Sequence, residues 1–224
     1  DNSRLRPSKS LQDALSSMLR GKREFVLLDS QKLVFENVMY RIRRLNTDSG
    51  KRVFIIKGGP GTGKSVVAIR LLAEAVAMGR NAAYVSKNSA PRNVYQMKLA
   101  EDGRKKALIN GLFLGSGCFV GAGSDAYDVL IVDEAHRLNQ RSGIFSNQGE
   151  NQIKEIINAA RISVFLIDEE QKVTSKDIGS IGEIQRWARY YGIEPEKTMA
   201  LSSQFRCSGS DGYIDFLDDI LRIE

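Results

Sequence analysis

The residues Gly58-Gly59-Pro60-Gly61-Thr62-Gly63-Lys64-Ser65 follow directly on the apolar run Val53-Phe54-Ile55-Ile56. Glycines at these positions let the backbone curl until successive amide N–H groups point inward at phosphate oxygens. In that pattern a lysine at position 64 reaches the β- and γ-phosphates, and the Ser65 hydroxyl is a ligand for Mg²⁺. Such a loop needs a helix behind it, because the helix N-terminus adds positive dipole to the site. Val66 to Met78 supplies one, rich in Ala, Leu, Val and Ile, and Gly79 provides its C-terminal stop. The spacing therefore predicts a nucleoside-triphosphate site built from Gly58, Gly59, Pro60, Gly61, Thr62, Gly63, Lys64, Ser65 and Val66. An ordinary Gly-rich turn between strand and helix does not explain Lys64-Ser65.

A second constellation lies about seventy residues on. Tyr127-Asp128-Val129-Leu130-Ile131-Val132 ends in Asp133-Glu134-Ala135-His136. A buried strand that delivers two adjacent carboxylates at its C-terminal end suits phosphoryl transfer to water. Asp133 is the expected Mg²⁺ acid, and Glu134 the expected base that polarises the attacking water. A glutamate in that place serves attack by water better than transfer to a small-molecule acceptor. His136 has two readings, simple packing or coupling of the nucleotide site to another surface.

The elements that must position these groups alternate. Val53–Lys57, Ala82–Ser86, Val129–Val132 and Ser163–Ile167 are short, apolar and rich in β-branched residues, as strands buried on both faces are. Lys197–Leu201 is a weaker strand. Helices are predicted over Gln31–Leu45, Lys64–Met78, Ala90–Ala100, Asn151–Ala160 and Ile181–Tyr191. This order predicts an α/β fold, a mostly parallel sheet flanked by helices, with the ligand loops at the strand C-termini. Gly111–Ser124 and Arg137–Gln152 read as loops, although Leu112–Leu114 or Cys118–Val120 in the first could form a strand. Tyr95, Trp187, Tyr190 and Tyr191 are expected to pack rather than to offer stacking platforms.

The chain has 224 residues, 42% of them hydrophobic, enough for one substantial core. No apolar run approaches the roughly 18 residues that would span a membrane. Cys118 and Cys207 lack metal-ligand spacing, and one histidine does not make a zinc site, so free thiols in a reducing cytoplasm are expected. The net charge of +6 is uneven, with arginine and lysine crowded in the first fifth and Asp211, Asp215, Asp218, Asp219 and Glu224 near the end. A basic face admits a polyphosphate partner, DNA or RNA, but solvated basic helices are also common. The start, Asp1-Asn2-Ser3-Arg4, reads as that of an excised or processed fragment.

Asp-Glu-Ala-His behind a phosphate loop resembles the helicases and related nucleic-acid-dependent ATPases. Further segments match the order found in superfamily 1 helicases: Leu28-Asp29-Ser30-Gln31, Val164-Phe165-Leu166-Ile167-Asp168-Glu169-Glu170-Gln171, and Leu201-Ser202-Ser203-Gln204-Phe205-Arg206. The resemblance implies that Gln31 contacts adenine, that Gln171 senses the γ-phosphate, and that Arg206 contributes positive charge to it. Ser86, Lys87, Asn88 and Arg92 stand where related motors touch a strand's backbone, or else form a polar loop with Ser86 or Asn88 as helix cap. With Gln204-Phe205-Arg206-Cys207-Ser208-Gly209-Ser210-Asp211 and Asp-Glu-Ala-His-Arg-Leu, nearly the whole chain resembles the Schlafen-type DNA/RNA helicase-like domains. The fold implied is a RecA-like P-loop NTPase domain. Its expected boundaries are 25–200, with 1–24 as a lead segment and 201–224 as the truncated start of a second domain, and further domains are expected in the parent protein. The expected function is Mg²⁺–ATP hydrolysis coupled to DNA or RNA. The alternative is an ATP-dependent switch that controls a partner domain without moving on nucleic acid.

Overall fold

The computed structural model describes residues 27–202 except 49, 101–108, 144–146, 172, 173 and 175, with backbone alone at 98–100. The elements are α1 (Asp29–Arg43), β1 (Arg52–Gly58), α2 (Lys64–Ala77), β2 (Ala82–Val85), α3 (Ser89–Ala100), β3 (Phe113–Leu114), β4 (Tyr127–Val132), α4 (Gln152–Ala159), β5 (Ala160–Ile167), α5 (Ile181–Tyr190) and β6 (Met199–Leu201). Short 3₁₀ turns occupy Ser116–Phe119, Ala135–Arg137 and Glu169–Gln171. Arg206, the expected lead segment 1–24 and residues 203–224 of the expected segment 201–224 lie outside the described residues.

Every strand pairing is parallel, in the order β3-β2-β4-β5-β1-β6. Each strand exposes alternate residues to opposite layers, which explains the unbroken apolar runs. Phe54, Ile56, Tyr84, Ile131 and Val164 face α1 and α2 in one core. Val53, Ile55, Val85, Leu130, Val132 and Phe165 face α4 and α5 in the other. This is the RecA-like α/β arrangement: β5 separates the loop-bearing β1 from the carboxylate-bearing β4, and all their C-terminal ends share one edge. Among the described residues no helix is long and apolar enough to cross a membrane.

Three local outcomes differ from sequence expectation or settle it. Phe113–Leu114 is a strand at the sheet edge, and Cys118-Phe119 belongs to a 3₁₀ turn. β5 starts at Ala160, three residues early, with no loop after α4. The reason is Lys51, whose Nζ donates to the carbonyls of Ile157, Asn158 and Ala160 and pairs with Asp125 at 2.5 Å. A cation on the last carbonyls of a helix satisfies acceptors the helix leaves free and opposes its dipole. The aromatic group on α5 divides: Trp187 is buried and Tyr191 half-buried, but Tyr190 is 66% exposed, which corrects the packing expectation for it. α5 turns Ile184, Trp187 and Ala188 inward, so Tyr190 falls at the edge of that stripe, beneath the Lys154 ammonium.

Removing the Lys51 cation takes a donor from three carbonyls, of which Asn158 keeps the Asp125 N–H. Lys51→Met is expected to cost about 2 kcal/mol of unfolding free energy by urea denaturation. An unchanged midpoint would show the α4 terminus to be satisfied without it.

Candidate functional site

Gly63, the residue before α2, sits at φ +86°, in the left-handed region. A Cβ there would collide with the Gln31 amide, so the position requires glycine twice over. Gln31 is fully buried beneath the loop: its Oε1 accepts the Leu28 N–H at 3.0 Å and its Nε2 donates to the Thr62 carbonyl at 2.9 Å. Both ends of the side chain therefore hold α1 and the loop together. Thr62 closes the turn by donating its hydroxyl to the Gly59 carbonyl.

α2 begins without a side-chain cap. By contrast Asn151 caps α4 and Ser180 caps α5 through side-chain oxygens. The first amides of α2 thus keep their donors for an anion. Lys64, 7% exposed, donates to the Gly58 and Gly59 carbonyls at 2.5 and 2.7 Å and lies 3.5 Å from Asp168 Oδ2. A polyanion has three oxygen acceptors to compete with for this ammonium.

β4 carries Asp133 to the same place. Its Oδ2 accepts the Ser65 hydroxyl at 2.6 Å and the Tyr84 hydroxyl at 2.7 Å, and its Oδ1 accepts the Glu134 N–H at 3.0 Å. Burial pushes this carboxyl above the usual range, and the two hydroxyl bonds oppose the shift. Glu134 adopts φ +55°, a strained conformation for its type, which swings its side chain away from the strand direction. The His136 ring beside it holds the Glu134 carboxyl below the usual range, against the effect of burial. His136 Nδ1 accepts the Asp168 N–H at 3.2 Å, which puts the ring proton on Nε2. Nε2 stands 3.2 Å from Glu134 Oε2. His136 is thus both packed and interposed between the carboxylate strand and the end of β5.

Asp168 also takes the Glu170 N–H and supports the turn that ends in Gln171. A cavity of about 150 Å³ is lined by Pro60, Gly61, Gly63, Lys64, Ser65, Val66, Glu134 and Gln171. Residues read from three separate sequence segments therefore meet in one cleft. The donor chemistry fits a nucleoside polyphosphate with a hard divalent cation: free helix amides, an ammonium, a hydroxyl and a carboxylate.

The tip of β2 is less open than its sequence implies. Asn88 is exposed, but Ser86 is fully buried with its hydroxyl unpartnered. Lys87 donates to Asn139 Oδ1 at 2.9 Å and to the buried Asp177 at 3.0 Å. Arg92 turns back onto the Ser86 carbonyl. Sequence reasoning missed Tyr84, Asp168 and Asp177. Tyr84 was findable, because a tyrosine inside a fully buried strand must find a partner for its hydroxyl.

A family model for the Schlafen group 3 DNA/RNA helicase domain matches residues 51–224. The chain belongs to this family. No curated protein matches it. Among solved structures it is similar to AMPPCP-bound DnaA from Aquifex aeolicus, at 16% identity and a TM-score of 0.40. That similarity covers 89% of this chain, which spans 60% of the DnaA chain. Membership makes this a helicase-like P-loop domain.

The bonds of Gln31 separate two roles for it. If it acts by holding the loop, Gln31→Ala lowers the affinity for fluorescent ATP and GTP analogues alike, by about tenfold. A loss confined to the adenine nucleotide would assign it to base recognition.

Proposed function

We propose that this chain is the Mg²⁺–ATP-binding and hydrolysing domain of a helicase-like protein that acts on DNA or RNA. The observation that carries the reading is the Ser65–Asp133 hydrogen bond, with Glu134 and Lys64 on the same cleft. Bound Mg²⁺ would neutralise charge on the phosphate oxygens during transfer to water. Ser65 and Asp133 are the residues to hold it. The amides from Gly61 to Val66 cradle the phosphates, and Lys64 exchanges its carbonyl partners for the β- and γ-phosphate oxygens. Glu134, kept ionised by its setting beside His136, orients the water and accepts its proton. Gln171, on the turn at the cavity's edge, senses the γ-phosphate. Arg206 adds charge to it in the manner of an arginine finger.

Family membership supports a nucleic-acid substrate. Lys87 and Asn88 offer the polymer contact, while Ser86 and Arg92 shape the loop that presents them. Lys87 is shared with Asp177, so backbone phosphate would compete for a cation already paired inside the protein. The residues 25–200 form the ATP-binding unit in this reading, and further domains of a parent protein supply the rest of the motor. The exposed free thiol of Cys118 agrees with a reducing, cytoplasmic setting.

Steady-state ATP hydrolysis at low salt, titrated with single- and double-stranded DNA and RNA, tests the proposal. Turnover is expected to rise with one class of polymer. Glu134→Gln is expected to lower it about 100-fold while retaining nucleotide binding, and Lys64→Ala to weaken both. Turnover that survives both variants would contradict the site. Variant-sensitive turnover indifferent to every polymer would favour the regulatory-switch reading.

A further inference from the structure

Tyr84 lies in the middle of β2, fully buried, in a strand with no other polar side chain. Its register partner on β4 is Ile131, so Asp133 stands two residues further along on the same face of the sheet. The phenol spans that offset and donates to Asp133 Oδ2 at 2.7 Å. The ring has no freedom to leave. Tyr95 on α3 meets it edge-on at 5.8 Å between centroids, and Phe113 on β3 lies against it at the same separation. Tyr95 and Phe113 are themselves stacked. Both side-chain donors to Asp133, the hydroxyls of Ser65 and Tyr84, converge on Oδ2. Among the described residues Oδ1 accepts only the Glu134 amide, so the two oxygens are held by different elements.

We propose that Tyr84 is a positioning residue of the metal site, whose hydroxyl fixes the orientation of the Asp133 carboxylate that would hold Mg²⁺. This rests on the reading of Asp133 as the metal-site acid. Ser65, in the first turn of α2, is the second donor, and in this reading its hydroxyl is itself claimed by the metal. Tyr84 belongs to the sheet and holds the same orientation whatever the loop does. A packing role alone makes a different prediction: the hydroxyl would satisfy its own burial, and its loss would change stability without changing how the protein uses metal.

The test is equilibrium binding of mant-ADP to the full chain across a Mg²⁺ titration, with EDTA as the metal-free reference. It compares wild type, Tyr84→Phe and Asp133→Asn, with thermal melting to confirm folding. Tyr84→Phe keeps the ring and removes only the donor. It is expected to bind mant-ADP like wild type in EDTA and to need about tenfold more Mg²⁺ for half of the metal-dependent tightening. Asp133→Asn is expected to lose most of that tightening. A Tyr84→Phe titration that superimposes on wild type, while Asp133→Asn is defective, overturns the inference and leaves the metal site standing. So does a loss of affinity of equal size with and without Mg²⁺, which is the mark of a structural role. If Asp133→Asn itself tightens normally with Mg²⁺, the assignment of Asp133 fails, and the inference falls with it.

Discussion

The buried carboxylate of Asp133 is the constraint on which the site depends. Three donors converge on it, from α2 through Ser65, from β2 through Tyr84 and from its own strand through the Glu134 amide. A carboxylate taken out of water is costly unless its oxygens are satisfied. That cost fastens the first turn of the loop helix to the middle of the sheet. The loop is fastened again from below, where Gln31 ties Thr62 to the start of α1. Between these two anchors the backbone from Gly59 to Gly63 has little choice of path, and its amides are preorganised for phosphate.

A second set of contacts joins the strand ends to one another. Asp168 meets Lys64 through its carboxylate and His136 through its amide. Downstream, Asp177 to Gly179 lie against the turn that follows Glu134. Gly179 packs so closely on the Ala135 carbonyl that any side chain there would collide. Asp177 completes the joint, taking Arg137 from that turn and Lys87 from the tip of β2. The carboxylate strand, the Gln171 turn and the proposed polymer-facing loop are thus tied by specific polar contacts. Under the proposed function, such a network gives nucleotide and nucleic acid common residues to act on, and coupling between them is reciprocal.

Much of this was legible in the sequence, for physical reasons. Gly58 to Ser65 could be read because phosphate binding restricts residue types so tightly, and Asp133-Glu134 because a buried apolar strand ending in two acids has few structural uses. β1, β2, β4 and β5 were legible as apolar β-branched runs, and their all-parallel pairing follows from the helices between them. The sequence was silent where function depends on a partner distant along the chain. Lys51 reads as a solvated lysine until α4 ends against it. Tyr84 reads as core until Asp133 arrives from the neighbouring strand. Lys87 reads as a free cation, and only the fold reveals Asp177 behind it. Gln31 was singled out for contact with a base, yet its buried amide is engaged by the loop, a detail set by tertiary packing.

Amide hydrogen exchange with and without Mg²⁺ and a non-hydrolysable ATP analogue tests the central claim most directly. The account predicts slowed exchange at Gly61–Val66, together with Glu134–His136 and Glu169–Gln171, because the ligand occupies donors that face one cleft. Saturating nucleotide that leaves the Gly61–Val66 amides exchanging at their free rate would contradict it.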